Sequence, residues 1–272
     1  MGKIADALEK HQKQKLTPGP SSVPKRPKKR PGRLKPPPFK EAKTGPRGFD
    51  PKLVVMSEPG SLDAERFNIL RTQLVFNQEN PGARVIMVTS ALPGEGKTYV
   101  AANMGASFAQ GLDQHVMLLD CDFRRPRLHT ILGYPNHEGL HEYLTGQRQL
   151  PDLIIRTNIE RLSFVSAGST PPNPSELISS NAMKECLREL KVRYKDRYII
   201  VDTTPVTLTS ESNALLNYVD GIVLVVMGQK TPRDAVHSCI DKLGRNKIMG
   251  IVFNGYNDKP GNYAKYYQDY YN

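Results

Sequence analysis

The chain has no tryptophan and only three cysteines, Cys121, Cys186 and Cys239. Their spacing matches neither a disulfide framework nor a Cys/His metal module, which excludes both and predicts a reducing, cytoplasmic setting. No apolar run approaches the roughly 18 to 20 residues needed to cross a bilayer. The most apolar stretch, GIVLVVM at 221–227, has the length of a strand. No leader with an apolar core and no internal repeat is present. Acidic residues are also short: 27 Asp and Glu face 38 Lys and Arg, for a formal charge of +11. Residues 1–50 carry +10 of this and residues 51–272 carry +1, so the basic character belongs to an arm and not to a domain.

That arm contains PKRPKKRPGRLKPPPF at 24–39 and nine of the chain's 22 prolines. Like charges, prolines and few apolar side chains predict an extended, solvated segment with polyproline II character. It reads either as a solubilising spacer or as an arm drawn to an anionic partner such as lipid headgroups, polyphosphate or nucleic acid. Before it, MGKIADALEKHQKQ allows one short helix with Ile4, Ala7 and Leu8 on one face, a docking or fraying segment rather than a membrane anchor. The expected organisation is a disordered basic arm over 1–50, a folded domain over 51–255, and a flexible tail over 256–272.

Within the domain, apolar runs recur at 84–90, 115–120, 161–167, 197–202, 221–227 and 247–254. Near-continuous apolar runs predict strands covered on both faces, as in a parallel sheet. Helical patterns separate most of them. Residues 97–110 place Val100, Met104 and Phe108 on one face before Gly111. PPNPSELISS predicts a helix start with Asn173 as N-cap, Pro174 in the first turn and Glu176 three residues past the cap. The fold class is α/β, a doubly wound, mostly parallel sheet with helices on both faces.

Between the first strand and the first of these helices lies ALPGEGKT, residues 91–98. It matches the phosphate-binding pattern G-x-x-x-x-G-K-[ST] except that Ala91 replaces the first glycine. Glycines let such a loop turn its N–H groups inward, and the helix start adds positive potential. Pro93, Gly94, Glu95, Gly96, Lys97, Thr98 and Tyr99 are therefore expected to surround the phosphates of ATP. Lys97 would reach the β- and γ-phosphates and Thr98 would ligate Mg²⁺.

Two acidic strand ends agree with this. LLDCDFRRP at 118–126 carries Asp120 and Asp122, which alternation along a strand would turn to one side. One can orient Mg²⁺ while the other accepts a proton from an attacking hydroxyl. Arg124 and Arg125 follow, for phosphate binding, a subunit interface or an internal salt bridge. YIIVDTTP at 198–205 delivers Asp202 in the Walker B manner. Asn254 ends the last strand, either to read adenine through its amide or to cap a turn.

The P-loop, the DxDxRRP segment, GSTPPNPSEL at 168–177, DTTP and a tyrosine-rich end together resemble the bacterial tyrosine kinases over roughly residues 57–272. The resemblance implies a P-loop NTPase fold and a protein-tyrosine autokinase that uses ATP and Mg²⁺ and governs exopolysaccharide or capsule polymerisation and export. It places Lys97, Asp120, Asp122, Asp202 and Arg124 in the catalytic set, with Asp120 acting on the phenol and Thr98, Asp122 and Asp202 holding the metal. The acceptors would be Tyr263, Tyr266, Tyr267, Tyr270 and Tyr271, in a tail that also contains Tyr256. It further implies a homo-oligomeric ring with Glu65 and Arg71 at the interface, although Asn68 stands where the family motif has arginine, and Thr204 where it often has proline.

A separate transmembrane chain-length regulator is the expected partner, recruiting the protein to the inner face of the membrane. The basic arm offers a second contact to that anionic surface, whereas nucleic acid is not an expected partner. Five or six phosphotyrosines would bring roughly −10, comparable to the arm's charge, so phosphorylation could exchange an anionic surface for the tail as the arm's partner. The rival readings are a partitioning or positioning ATPase that binds DNA or membrane, and an inactive nucleotide-binding scaffold. The first usually has a second lysine early in the P-loop, where this chain has Leu92.

Overall fold

The computed structural model of the chain describes residues 48–111 and 115–255. The expected short helix at the start, the proline-rich basic stretch and the tyrosine-rich tail lie outside the described residues. In chain order the elements are α1 (Val54–Ser57), α2 (Leu62–Val75), β1 (Val85–Ser90), α3 (Lys97–Ala109), β2 (His115–Asp120), α4 (Leu128–Leu132), α5 (Leu140–Leu144), α6 (Leu150–Leu153), β3 (Ile155–Arg156), β4 (Leu162–Val165), α7 (Pro174–Ile178), α8 (Asn181–Arg193), β5 (Arg197–Asp202), α9 (Ser210–Leu215), β6 (Gly221–Met227), α10 (Arg233–Leu243) and β7 (Ile248–Asn254).

The strands form one sheet in the order β3-β4-β2-β5-β1-β6-β7. Every pairing is parallel except β3 with β4. All six strands expected from the apolar runs are present. The seventh, β3, has two residues, too short to leave a period in the sequence.

Alternation along β1 divides its side chains between two cores. Val85 and Met87 face Met183, Cys186, Leu187 and Leu190 of α8, while Ile86 and Val88 face Val100, Met104 and Phe108 of α3. Each fully buried aliphatic side chain in these layers contributes about 1.5–3 kcal/mol. A sheet covered on both faces needs apolar residues at every position, which is why its strands read as unbroken runs.

One helix start differs from expectation. Asn173 precedes α7 but makes no cap bond; its Nδ2 donates to Glu176 Oε2 at 2.6 Å. Proline at the first helical position already removes one amide that a cap would serve. A carboxylate does serve the start of α5, where Glu142 Oε2 accepts from Gly139 N at 2.6 Å. Arg71 and Asn68 of α2 both turn inward onto α3. Arg71 Nη1 donates to Ser107 O at 2.6 Å, and Asn68 Oδ1 accepts from Ser107 Oγ at 2.9 Å. Cationic charge there also suits the negative end of the α3 dipole.

Candidate active site

The carboxyl ends of β1, β2 and β5 meet at one edge of the sheet. Asp120 and Asp202 are register partners across β2 and β5, and Val88 of β1 is the partner of Asp202. Ligands of open α/β sheets bind outside such strand ends. A cleft of about 720 Å³ opens there, lined by the phosphate loop, Asp122, the RRP turn and residues 204–209.

The loop turns through two glycines in the left-handed region, Gly94 at φ 77° and Gly96 at φ 91°. Gly96 is constrained twice over, because a Cβ there would lie 2.0 Å from Asn254 Nδ2. Asn254 does not line the cleft; its Nδ2 donates to Glu95 O at 2.8 Å and braces the loop from below. Glu95 is buried with its carboxylate turned inward, accepting from Leu92 N at 2.7 Å, Met227 N at 3.3 Å and the Thr231 hydroxyl. Its contribution to the cleft is therefore its backbone. The N–H groups of Gly94 to Thr98 have no acceptor among the described residues, so they are available to an anion. Ala91, in the place of the motif's first glycine, is fully buried in the core, and its carbonyl accepts from the Thr207 hydroxyl.

Lys97 is itself buried, and desolvation pulls its ammonium below the ordinary lysine range against the opposing charges of Asp202, Asp122 and Glu95. Asp202 is wholly buried and neither of its oxygens has a hydrogen-bond partner of acceptable geometry. Burial raises its pKa; Thr98 beside it and Lys97 work in the opposite direction, while Asp122 adds to the rise. A buried, unpartnered carboxylate facing a lysine and a hydroxyl is costly to keep unless something cationic completes it.

The two aspartates of the DCD segment lie at different depths beside Asp202. β2 ends at Asp120, so alternation stops before Asp122. Asp120 is buried beneath the cleft, with Oδ1 accepting from Asp122 N at 3.1 Å and Oδ2 from Leu128 N at 3.2 Å. Burial and then the charge of Asp202 push it well above the usual carboxylate range. Asp122 lines the cleft, and its Oδ1 accepts from the backbone N–H groups of Arg124 and Arg125 at 3.2 and 2.9 Å.

Arg124 does not point at the phosphate loop. Its Nη2 pairs with Glu211 Oε1 at 3.0 Å, and Glu211 also accepts from Ser175 Oγ at 3.0 Å and Thr204 Oγ1 at 3.1 Å. Those hydrogen bonds, with Arg124, hold the Glu211 carboxyl below the ordinary range despite burial. Glu211 is thus a hub that no motif announced. Thr204, at a position where the resemblance often has proline, uses its hydroxyl in this network. Tyr99 lines the cleft and packs its ring edge-on against Phe67, 5.7 Å between centroids.

A second unannounced element is the segment leading into α1. Asn103, fully buried in α3, donates through Nδ2 to Lys52 O at 2.9 Å and accepts at Oδ1 from Val55 N at 3.1 Å. This latch holds Asp50 and Lys52 at the cleft margin. The signal was a polar residue inside an otherwise apolar helix. Glu65 accepts from Asn68 Nδ2 at 3.1 Å within α2 and is half-buried.

The chain is 34% identical over 205 residues to "Tyrosine-protein kinase YwqD" of Bacillus subtilis, covering 75% of this chain and 85% of that protein. It belongs to the bacterial tyrosine kinases. Among solved structures, the chimerical protein CapA2B2 superimposes with a TM-score of 0.71 at 30% identity, over 81% of this chain and 95% of that one. The kinase domain of the Escherichia coli tyrosine kinase ETK superimposes with a TM-score of 0.69 at 29% identity, over 77% and 82%. No family model matches the sequence. The P-loop fold expected from the motifs is the fold of this kinase, and the partitioning-ATPase reading gives way to family membership.

The donor set suits magnesium. No cluster of three or more His, Cys, Asp and Glu that could hold a metal occurs among the described residues. Asp202 and the Thr98 hydroxyl, with Asp122 at the cleft wall, would leave most positions to water and substrate oxygens, which is how Mg²⁺ is ordinarily held.

Proposed function

We propose that this tyrosine kinase transfers the γ-phosphoryl group of ATP to tyrosines of its own C-terminal cluster, Tyr263, Tyr266, Tyr267, Tyr270 and Tyr271, delivered by a neighbouring copy in a homo-oligomer. The observation that carries this reading is the unpartnered buried carboxylate of Asp202 beside Lys97 and Thr98, at the foot of a loop whose amides are unengaged. The amides of Gly94 to Thr98 hold the phosphates in place, and Lys97 offsets charge on the transferred group. Asp202 and Thr98 would hold Mg²⁺, which when bound neutralises charge on the β- and γ-phosphates.

The phenol oxygen forms the new bond to the γ-phosphorus as the bond to the β–γ bridging oxygen breaks, and the phenol proton passes to a carboxylate. Asp122 suits that acceptor role better than Asp120, because Asp122 lines the cleft and Asp120 has both oxygens committed to loop amides. Arg124 acts as a positioning residue through Glu211. The family's setting supports a role in capsule or exopolysaccharide polymerisation and export, with a transmembrane co-polymerase as partner at the inner membrane face. No helix among the described residues is long and apolar enough to cross a membrane.

Full-length protein incubated with MgATP and analysed by mass spectrometry of the tail tests this. Phosphotyrosine on the tail, absent in Lys97→Met and in a variant lacking the tail tyrosines, is the expected result. Mixing Lys97→Met with the tail-less variant should restore modification of the former if delivery is between copies. Nucleotide hydrolysis with an unmodified tail would overturn the assignment.

A further inference from the structure

The mouth of the cleft carries cationic side chains in addition to Lys97 of the loop. Lys52, Arg125 and Arg127 all line it, all are exposed, and none has an ion-pair or hydrogen-bond partner for its side chain among the described residues. Arg124, by contrast, is occupied by Glu211. Their backbones are set independently of any ligand: Asp122 accepts from Arg125 N, Arg127 opens α4, and Asn103 latches the carbonyl of Lys52. Asp50 shares the margin, but its Oδ1 already accepts from Lys52 N at 2.9 Å. Across the same cleft, Leu208 stands 62% exposed, an aliphatic surface at the rim with no packing role.

The chain's own acceptor segment supplies a matching chemistry only after it has reacted. Residues 256–272 contain two Asp and two Lys, formally neutral, and their tyrosines include the adjacent pairs Tyr266–Tyr267 and Tyr270–Tyr271. An unmodified pair offers the three cations only neutral phenols, a weak acceptor oxygen and a ring face. Once one member carries a phosphate monoester, with about −1.5 to −2 charge and three acceptor oxygens, guanidinium groups can engage it in bidentate fashion.

We propose that Arg125, Arg127 and Lys52 form a phosphotyrosine-binding rim, so that a tail already phosphorylated at one tyrosine is held while its neighbour, resting against Leu208, enters the cleft. The rim makes modification of the paired tyrosines self-reinforcing: the first phosphate raises the affinity for the second transfer. This rests on the kinase reading above, and the binding measurement is separable from it because binding needs no turnover.

The test uses full-length protein whose tail tyrosines are replaced by phenylalanine, titrated with synthetic peptides of residues 261–272, either unmodified or phosphorylated at Tyr271. The phosphopeptide should bind about tenfold tighter, the margin of one charge-assisted contact or more. Added salt should shrink that margin. Arg125→Ala with Arg127→Ala should abolish the preference, and Arg125→Lys with Arg127→Lys should retain part of it. Saturating MgATP should leave phosphopeptide binding in place. Equal binding of the two peptides, a preference that survives the double alanine variant, or displacement of the phosphopeptide by MgATP would each overturn the rim. Failure to phosphorylate either peptide, with the binding preference intact, would count against the kinase reading instead.

Discussion

Two aspartates at opposite ends of the sheet show how differently one residue type can be used. Asp220, just before β6, accepts from Arg84 N and Val85 N at 3.0 Å each and pairs with Lys191, and these partners hold its carboxyl below the usual range against partial burial. Asp202, at the end of β5, is more deeply buried, has no hydrogen bond of acceptable geometry among the described residues, and is raised. The amino ends of the strands are closed by charges that satisfy one another. The carboxyl ends keep a carboxylate, a lysine and a row of amides incomplete. Stability is concentrated at one edge and given up at the other, where chemistry needs unpaired groups in fixed places.

The sharpest way to break this contrast is at the lysine. Lys97→Met should cut the rate of tail phosphorylation by about 10²–10³-fold or more, the usual loss when a charge-stabilising group is removed. Its melting temperature should change little, because relief of a buried ammonium is offset by loss of the charge that faces Asp202. Calorimetry with a phosphotyrosine assay on the same samples checks both halves. A stability loss matching the activity loss would mean that the site is part of the scaffold after all.

At the other end, Asp220→Ala should cost about 3 kcal/mol, since two backbone amides and a lysine lose their shared partner. The rate per folded molecule should be unchanged in turnover measured below the lowered transition. Smaller, and opposite in sign, Asp202→Asn should raise stability by about 1 kcal/mol while losing phosphoryl transfer. The gain is modest because Lys97 already offsets part of the charge.

The smallest effect is in pH dependence. Asp202, raised from 3.8 to about 7, binds protons in the folded state that the unfolded chain has released, so it erodes stability as pH rises through that window. Asp220 is lowered, so its contribution is present above its unfolded value and is lost as pH falls through the folded one. Denaturant titrations across pH should therefore show the benefit of Asp202→Asn growing from acid toward neutral pH. The deficit of Asp220→Ala should shrink only in strong acid.

Much of the scaffold was legible because burial on both faces writes itself into unbroken apolar runs, and six strands followed from that alone. The phosphate loop was legible for a related reason: glycine at Gly94 and Gly96 answers a backbone demand that is local in sequence. What escaped depended on side chains meeting from distant segments. Glu211 gathers Arg124, Ser175 and Thr204, and nothing within a few residues of it records that. Asp122 lies at the phosphate end as its spacing suggested, but its different depth from Asp120 was not legible, because β2 stops at Asp120 and alternation does not reach Asp122. Asn254, weighed as a reader of adenine or a turn cap, supports the loop from beneath, a role visible only once β7 and the loop are side by side.

Asn103 has a consequence of a mechanical kind. Its one amide ties the incoming backbone at Lys52 and Val55 to the middle of the helix whose first residues are Lys97 and Thr98. A displacement of this leading segment is thereby coupled to a rod that ends at the phosphate loop, and Gln110, donating to the Val55 carbonyl, and the buried Leu53 and Val55 side chains share the strain with Asn103.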